Sequence, residues 1–585
     1  MSDLMRLPCA SRRRRPTPLT PFLKRSLTKA MRKRPSTRMS DTSSDHGFDD
    51  VARNRAFAEL ARMSMPSTPI VHYHSDGRLL ILAEDQAHGE ALCSCVSGTL
   101  KPVLLVIDPD ATACFELELM CVGRKTDVDL SGHLGDFVLA IRRETTSPPA
   151  TSSPPRRFDL VMDALSRPLM SAERKPPGYY AVGAESMPNP AVLDEINALV
   201  GDFEKPQYYT YDPDICAHGR NGQSGCTRCL DACPAEAITS LSEKIAVNEK
   251  LCQGFGVCAS ACPTGAIAFN YPATADIHNR LKTLLSTYRE AGGSHPQLLL
   301  IDQETAASLQ IGEEGDWYLP TGILPIVLEE QGSLGLDTWL YALACGAASV
   351  AMLFSRSVPT SVQEELSTQI AVARRLMGAL GYPENTIAAL QPADITATGL
   401  NGVASMPAIA EAAFAIQDNK RLRITLSIDH LASQATVVPE RVDLPDGAAF
   451  GRLDINTQGC TLCMSCVSVC PAKALADGGD VPALKFYQTN CVQCGLCESA
   501  CPESVLTRVP EFVFDQELRR RTQVLNEEQP YHCIRCNKPF ATYSMIQRIT
   551  GQLAAHSMFQ APGALERLKM CEDCRVIAMM QDELE

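Results

Sequence analysis

The chain has 585 residues, 45% apolar and 21% charged, with a net charge of -14; that length exceeds a single hydrophobic core, so about three to five domains are expected. Residues 1–40 hold twelve Lys or Arg against one acid, and the rest of the chain carries 42 bases against 67 acids, an acidic body that excludes broad nucleic-acid binding and suits docking to basic patches on protein partners. Twenty-five cysteines, grouped in CxxC clusters followed by prolines, argue for metal ligation in a reducing, cytoplasmic setting and against a secreted disulfide framework.

Residues 1–50 read as a disordered basic tail. The arginines at 12–15 and FLK at 22–24 loosely resemble a twin-arginine signal, but Lys29, Arg32, Lys33 and Arg34 stand where an apolar region should follow. A true start at Met31 or Met39 is the alternative. Residues 68–143 alternate short apolar runs (IVHYH, LLILA, VLLVI, FELEL, FVLAI) with a helix near residues 85–92, the pattern of a small α/β domain. Its Cys93, Cys95, Cys114 and Cys121 have no ligand spacing and read as small buried hydrophobes. A Ser/Pro stretch, TTSPPATSSPPRR, reads as a linker over 144–157.

Residues 205–272 form the first of two cysteine modules. In the run C-x2-C-x2-C-x3-C-P, three cysteines serve one cubane cluster and the fourth crosses to its partner. Here the run is irregular: Cys226, Cys229, Cys233 and Pro234 are its back, but Gln223 holds the first place. Cys216 can fill that corner by looping round, with His218 as the competing ligand, so Cys216, Cys226, Cys229 and Cys262 are expected to hold a [4Fe-4S] cluster. The second half, CQGFGVCASACP, has Phe255 at the middle position, which leaves Cys252, Cys258 and the crossing Cys233. Losing a corner ligand tends to lose its iron, so a [3Fe-4S] cluster is expected first. The alternative is a [4Fe-4S] cluster whose open iron takes water or a nearby side chain. This half resembles ferredoxins and reductase subunits in which a noncysteine residue accompanies three-iron clusters.

Over 273–440, helical stretches (TADIHNRLKTLLSTYREAGG, SVQEELSTQIAVARRLMGALG) alternate with buried-strand runs (QLLLI, LPIVL, ASVAMLF, LRITLSI), which predicts an α/β domain with a mainly parallel sheet. Residues 338–355 carry no charge, but Gly346 divides them into a helix and a buried strand, so no transmembrane segment is expected. The passage from LPTGILPIVLEEQ to ARRLMGALGY is similar to the small delta subunit of methyl-viologen-reducing hydrogenases. That family holds its cofactor with several cysteines and this domain keeps only Cys345, so the resemblance implies a docking role without a cluster. No dinucleotide fingerprint is present, GSLGLD being too poor a match, and flavin binding stays open.

The module at 446–509 is regular. CTLCMSCVSVCP and CVQCGLCESACP, twenty residues apart, predict one [4Fe-4S] cluster on Cys460, Cys463, Cys466 and Cys501 and another on Cys491, Cys494, Cys497 and Cys470. Zinc would want four ligands, not eight at doubled spacing. These residues resemble the bacterial two-cluster ferredoxins. Residues 525–585 hold two further knuckles, Cys533-x2-Cys536 and Cys571-x2-Cys574, around a helix candidate; CIRCNKPF resembles a zinc-ribbon knuckle. Structural zinc ranks first there, another iron-sulfur cluster second and a redox disulfide last, with His532 and His556 as bystanders.

The fold class expected is therefore multidomain α/β plus α+β: two ferredoxin-like dicluster modules flank a mainly parallel α/β domain, with an N-terminal α/β domain and a zinc-ribbon-like C-terminus. No hydrolase elbow, phosphate loop or flavin fingerprint is found. The first functional expectation is a polyferredoxin relaying single electrons between cytoplasmic redox partners. The layout resembles the large iron-sulfur proteins found alongside bacterial molybdenum-containing formate dehydrogenases, which implies such an enzyme, or a hydrogenase-like one, as partner. A reductase subunit with an open-iron or flavin site, and a cluster or dehydrogenase maturation factor, are the alternatives.

Overall fold

The computed structural model describes residues 17–18, 45–64, 66–108, 114–115, 119–122, 128–141, 154–184, 187–308, 319–320, 322–355, 358–396, 399–415, 418–479, 481–560 and 563–582. The basic tail thus lies outside the described residues, except for the short strand Thr17–Pro18 and the segment from residue 45 onward.

The N-terminal domain is built on the strand Arg78–Ala83, whose LLILA is buried throughout. A continuous apolar run marks a strand covered on both faces, and separate apolar clusters do lie on its two sides. The sheet order is Tyr179–Ala181, Leu160–Ala164, Arg78–Ala83, Lys101–Ile107, Leu119–Val122, Cys114–Phe115. All neighbours are parallel except the last pair. The helix Gln86–Cys95 starts where Asp85 accepts from the His88 amide at 2.8 Å, a side-chain cap of the usual kind.

Two expectations change here. Leu160–Ala164 sits beside the central strand, so the Ser/Pro stretch joins parts of one domain and is not an interdomain linker; residues 144–153 of it lie outside the described residues. The domain closes only at Gly201–Pro206, which pairs antiparallel with Ile70–Ser75. Cys121 is buried as expected, whereas Cys95 is exposed.

The middle domain carries a four-stranded parallel sheet in the order Ile323–Leu328, Gln297–Asp302, Ser349–Leu353, Ile387–Leu390. Residues 338–355 form most of the buried helix Leu336–Ala344, a turn at Gly346 with φ 94°, and a buried strand. Among the described residues no helix is long and apolar enough to cross a membrane. LRITLSI, expected as a strand, lies in the helix Lys420–Gln434. Its buried residues Arg423, Ile424, Ser427, Ile428 and Leu431 recur at helical spacing, and the Asn419 side chain caps the first turn by accepting from the Leu422 amide at 2.9 Å; the β-branched character of Ile424 and Thr425 gives way to packing. Residues 45–50, counted with the tail, begin the helix Asp45–Leu60, which packs on Thr274–Glu290 with Ala52 and Ala56 fully buried.

Polar groups hold this domain's interior to its neighbours. Arg423 donates to Asp337 at 2.6 Å with both side chains buried. Burial works against the Asp337 carboxylate, but Lys420, Arg423 and His278 outweigh it and hold the group at about 2. His278, fully buried and within 3.0 Å of the Thr338 hydroxyl, is driven down to about 3 by burial and by Arg423.

Removing one partner of a buried pair strands the other charge. Arg423→Met alone should lower stability by about 3–5 kcal/mol, and Asp337→Leu added to it should restore most of that loss, as read by native-state amide exchange in the parallel sheet. His278 has a folded pKa below its unfolded value, so its unfolded form takes up the proton first and stability falls as pH drops below 6.5. Between pH 7 and 5.5 the domain should lose about 1 kcal/mol through this group; His278→Gln should abolish that part of the pH slope in the same exchange measurement.

Candidate metal centres

The cysteine loops share an unusual backbone. Leu462 and Met464 flank Cys463 with φ of 51° and 60°, and Gln493 and Gly495 flank Cys494 at 55° and 86°. Gly254 and Gly256 flank Phe255 in the same way, at 86° and 72°. Three residues after each crossing cysteine the left-handed turn recurs, at Glu236, Gly265, Lys473 and Ser504 with φ of 48°, 79°, 51° and 52°. Left-handed residues are costly for most side chains, and alternating them with right-handed ones turns successive N–H groups to one concave side, a shape that receives anions. The amide of Ala474 donates to Cys470 Sγ at 3.2 Å, and the Gln493 side chain donates to Cys491 Sγ at 3.3 Å.

In the regular module the loops bring Cys460, Cys463, Cys466 and Cys501 to one cavity and Cys470, Cys491, Cys494 and Cys497 to another. A third cavity, in the irregular module, collects Cys216, Cys226, Cys229 and Cys262. Cys216 reaches it through a hairpin that pairs Gly219–Arg220 with Gln223–Ser224 around Asn221-Gly222, φ 51° and 74°. Asn-Gly with both residues left-handed is the favoured two-residue hairpin turn, a signal present in the sequence and not used there. The hairpin sets the Cys226 amide on the Ala217 carbonyl at 3.0 Å. His218 lies at this cavity, but its Nδ1 meets the Cys226 carbonyl at 2.8 Å and its Nε2 the Ser240 hydroxyl at 2.7 Å. Both ring nitrogens are engaged, which leaves the corner to Cys216.

Cys233, Cys252 and Cys258 form a further group: burial, then Cys252 and Cys233, drive the Cys258 thiol up. Phe255 packs against the core of the middle domain, with the Arg174 guanidinium 5.7 Å from its ring centre. Lys205, also buried, donates to the carbonyls of Lys250, at 3.1 Å, and Cys252. The knuckle cysteines Cys533, Cys536, Cys571 and Cys574 place their sulfurs within 4.8 Å of one another. Neither His532 nor His556 belongs to that group.

The surroundings of three thiols in these cavities oppose ionisation. Burial, then neighbouring thiols, push Cys466 up to about 12, and burial dominates at Cys226 and Cys494, each near 11. Four ligand thiolates brought to one cavity need a cationic core at their centre, and an iron-sulfur core fits the all-thiolate donor set. At Cys533 burial is outweighed by N–H groups of Cys536, Cys571 and Arg535, which bring the thiol down to about 6, while burial and the neighbouring thiols push Cys574 up to about 12; the four sulfurs together offer the donor set of a tetrahedral thiolate site.

The groups adjoin one another: the helix Arg228–Asp231 packs on Val257–Ala261, and Leu496–Ser499 packs on both Gln223–Ser224 and Ser465–Ser468. Cys258 is raised by Cys229 and Cys262 of the next group. Cys494 is raised by Cys226 across the module boundary, where an added Cβ on Gly225 would lie 2.5 Å from Leu496 Cγ. Cys497 is raised by Cys466. Beyond Cys460, the Thr542 hydroxyl of the knuckle module donates to the Thr461 carbonyl at 3.1 Å, and Arg548 pairs with Glu503.

Residues 459–506 and 224–266 each match a 4Fe-4S dicluster domain family. Over 72 residues the chain is 38% identical to selenate reductase subunit beta of Thauera selenatis, covering 12% of this chain and 20% of that protein. It is 35% identical over 66 residues to hydrogenase-4 component A of Escherichia coli, covering 11% of this chain and 30% of that one. Formate hydrogenlyase subunit 2 of the same species is 35% identical over 65 residues, with the same shares of 11% and 30%. The chain thus spans under a third of the length of these relatives. It carries two 4Fe-4S dicluster domains and is an iron-sulfur protein.

Proposed function

We propose that this chain is a cytoplasmic polyferredoxin that passes single electrons along four iron-sulfur centres between redox enzymes. The observation that carries the reading is the adjacency of the cysteine groups: their loop helices pack together, Val257–Ala261 on Arg228–Asp231 and Leu496–Ser499 on Gln223–Ser224 and Ser465–Ser468. [4Fe-4S] clusters are assigned to Cys216, Cys226, Cys229 and Cys262, to Cys470, Cys491, Cys494 and Cys497, and to Cys460, Cys463, Cys466 and Cys501. A [3Fe-4S] cluster is assigned to Cys233, Cys252 and Cys258, because the Phe255 ring belongs to the neighbouring core and supplies no ligand. Structural zinc is assigned to Cys533, Cys536, Cys571 and Cys574. The centres supply one-electron chemistry; the protein holds them rigidly.

The partner is a formate dehydrogenase or a hydrogenase-like enzyme. Similarity to a formate hydrogenlyase subunit and a hydrogenase component supports this, as does the acidic body of the chain. The middle domain docks the partner: its residues 331–333 meet the Phe255 loop so closely that a Cβ on Gly256 would lie 2.6 Å from Ser333 Cα.

Anaerobically purified protein should contain about fifteen irons and one zinc, with a three-iron paramagnetic resonance signal when oxidised. Sixteen irons without that signal would remove the three-iron assignment, and a colourless, iron-free chain would remove the relay. Gly225→Val should wedge Leu496 away and part the modules. Iron content should stay unchanged while electron equilibration between modules, followed by freeze-quench resonance, slows several-fold; an unaltered rate would contradict the relay.

A further inference from the structure

The hairpin that carries the first knuckle runs directly onto the cavity of Cys460, Cys463, Cys466 and Cys501. Its strands, Pro530–His532 and Pro539–Thr542, are antiparallel, and Cys533 and Cys536 stand in the turn between them. The Cys533 amide donates to the Lys538 carbonyl and the Asn537 amide to the Cys533 carbonyl, each at 2.9 Å. The second strand ends at the buried Thr542, whose hydroxyl has two roles. It donates to the Thr461 carbonyl at 3.1 Å, next to Cys460, and it caps the helix Tyr543–Leu553 by accepting from the Met545 amide at 3.2 Å. That helix carries Arg548, which pairs with Glu503.

Glu503 belongs to the cysteine cavity. It lines that space together with Thr461 and the four cysteines, and its Oε1 accepts from the Thr461 hydroxyl at 3.4 Å. Its side chain is 8% exposed, and among the described residues Arg548 is the only cation at ion-pairing distance from it. The charge that balances this carboxylate therefore comes from the knuckle module, well past the end of the dicluster match at residue 506. The knuckle module in turn depends on its metal. Its apolar cluster is Cys533, Cys571 and Cys574, with Phe540 and Met570 packed against them, while Val576, Ile577, Met579 and Met580 of the last helix are exposed. A module whose core is its own ligand set folds when the metal binds.

We propose that metal binding at Cys533, Cys536, Cys571 and Cys574 sets the reduction potential of the iron-sulfur centre at Cys460, Cys463, Cys466 and Cys501, with Arg548 as the positioning residue that carries the effect by neutralising Glu503. The inference rests on the zinc and cluster assignments proposed above. Reduction adds one electron to the centre, and no bond is made or broken. A carboxylate left unpaired beside the centre opposes that electron, because net charge at the cluster is one of the determinants of its potential. Loss of the knuckle metal loosens the hairpin and the helix it leads into, withdraws Arg548 and lowers the potential. The loaded knuckle keeps this centre easier to reduce, so the metal site acts as a control on one end of the electron path.

The test is a mediated potentiometric titration of the full-length, anaerobically purified protein, followed by paramagnetic resonance, with the signal assigned by its loss in Cys460→Ala. Arg548→Gln should shift this midpoint to more negative values by about a tenfold change in equilibrium constant, ~59 mV for one electron, with iron and zinc content unchanged and the other midpoints in place. Arg548→Lys should keep most of the wild-type value. Glu503→Gln added to Arg548→Gln should return the midpoint to near wild type, since both charges are then gone. Cys571→Ser combined with Cys574→Ser, which removes the knuckle metal, should shift the midpoint in the same direction as Arg548→Gln, and Glu503→Gln should again cancel the shift. A midpoint unchanged in Arg548→Gln, or one that rises when the knuckle metal is lost, overturns the inference. Should the knuckle variant lose this centre's iron, the shift in Arg548→Gln and its cancellation by Glu503→Gln decide in the same way. Wild-type protein with no zinc at the knuckle, or with no reducible centre at Cys460, Cys463, Cys466 and Cys501, refutes those assignments instead.

Discussion

Four sulfur ligands converging on one cavity govern the rest of this architecture. Burial and neighbouring thiols hold such groups protonated, as at Cys226 and Cys466, and a metal core that draws off their protons also ties its own binding energy to folding. The loops are shaped for that arrangement in their own backbones. Leu462, Met464 and Gln493 are not glycines, yet each adopts left-handed geometry, a departure that costs most residues about 1–2 kcal/mol. Such strain persists where surroundings over-determine it, and sites of function are where it collects.

Around those loops the remaining domains act as a clamp. The first turn of the helix Lys420–Gln434 touches the Cys258–Cys262 helix region, the loop before Cys491 and Asp337 of the middle domain. A single rigid turn thereby fixes the position of three folding units relative to one another. Buried polar links of this kind add little net stability compared with apolar packing, but they penalise every arrangement that leaves a charge unmatched. Positioning, more than stability, is what a set of adjoining centres requires.

The cysteine spacing made the second module legible before any coordinates, because ligand number and loop length dictate the chemistry there. The approach of Cys216 to Cys226 and Cys229 was readable as a loop; its Asn221-Gly222 turn is the local reason that the loop closes. Other features depended on partners distant in sequence. LRITLSI reads as a strand by residue type, and only its buried spacing within the helix reveals the other periodicity. The Ser/Pro stretch looks like a boundary because nothing local shows that Leu160–Ala164 will pair with Arg78–Ala83. The helix Asp45–Leu60 follows a basic tail and turns few large apolar side chains inward, using Ala52 and Ala56 against Thr274–Glu290. Small residues allow close approach but give a weak sequence signal.

Phe255 stands at the middle position of a loop whose backbone matches those around Cys463 and Cys494. Gly254 and Gly256 keep the left-handed geometry seen on either side of Cys463 and Cys494, so the backbone still wraps the same space. The side chain between them instead joins the apolar core of the middle domain, beneath Arg174. An added Cβ on Gly332 would lie 2.4 Å from the Phe255 carbonyl oxygen, which leaves no room for a larger residue at that contact. A cysteine at 255 would give up much of the apolar area that phenylalanine buries there, at roughly 25 cal/mol per Å². The middle position in this loop therefore serves the junction between domains, and the group of Cys233, Cys252 and Cys258 stands where that junction lies.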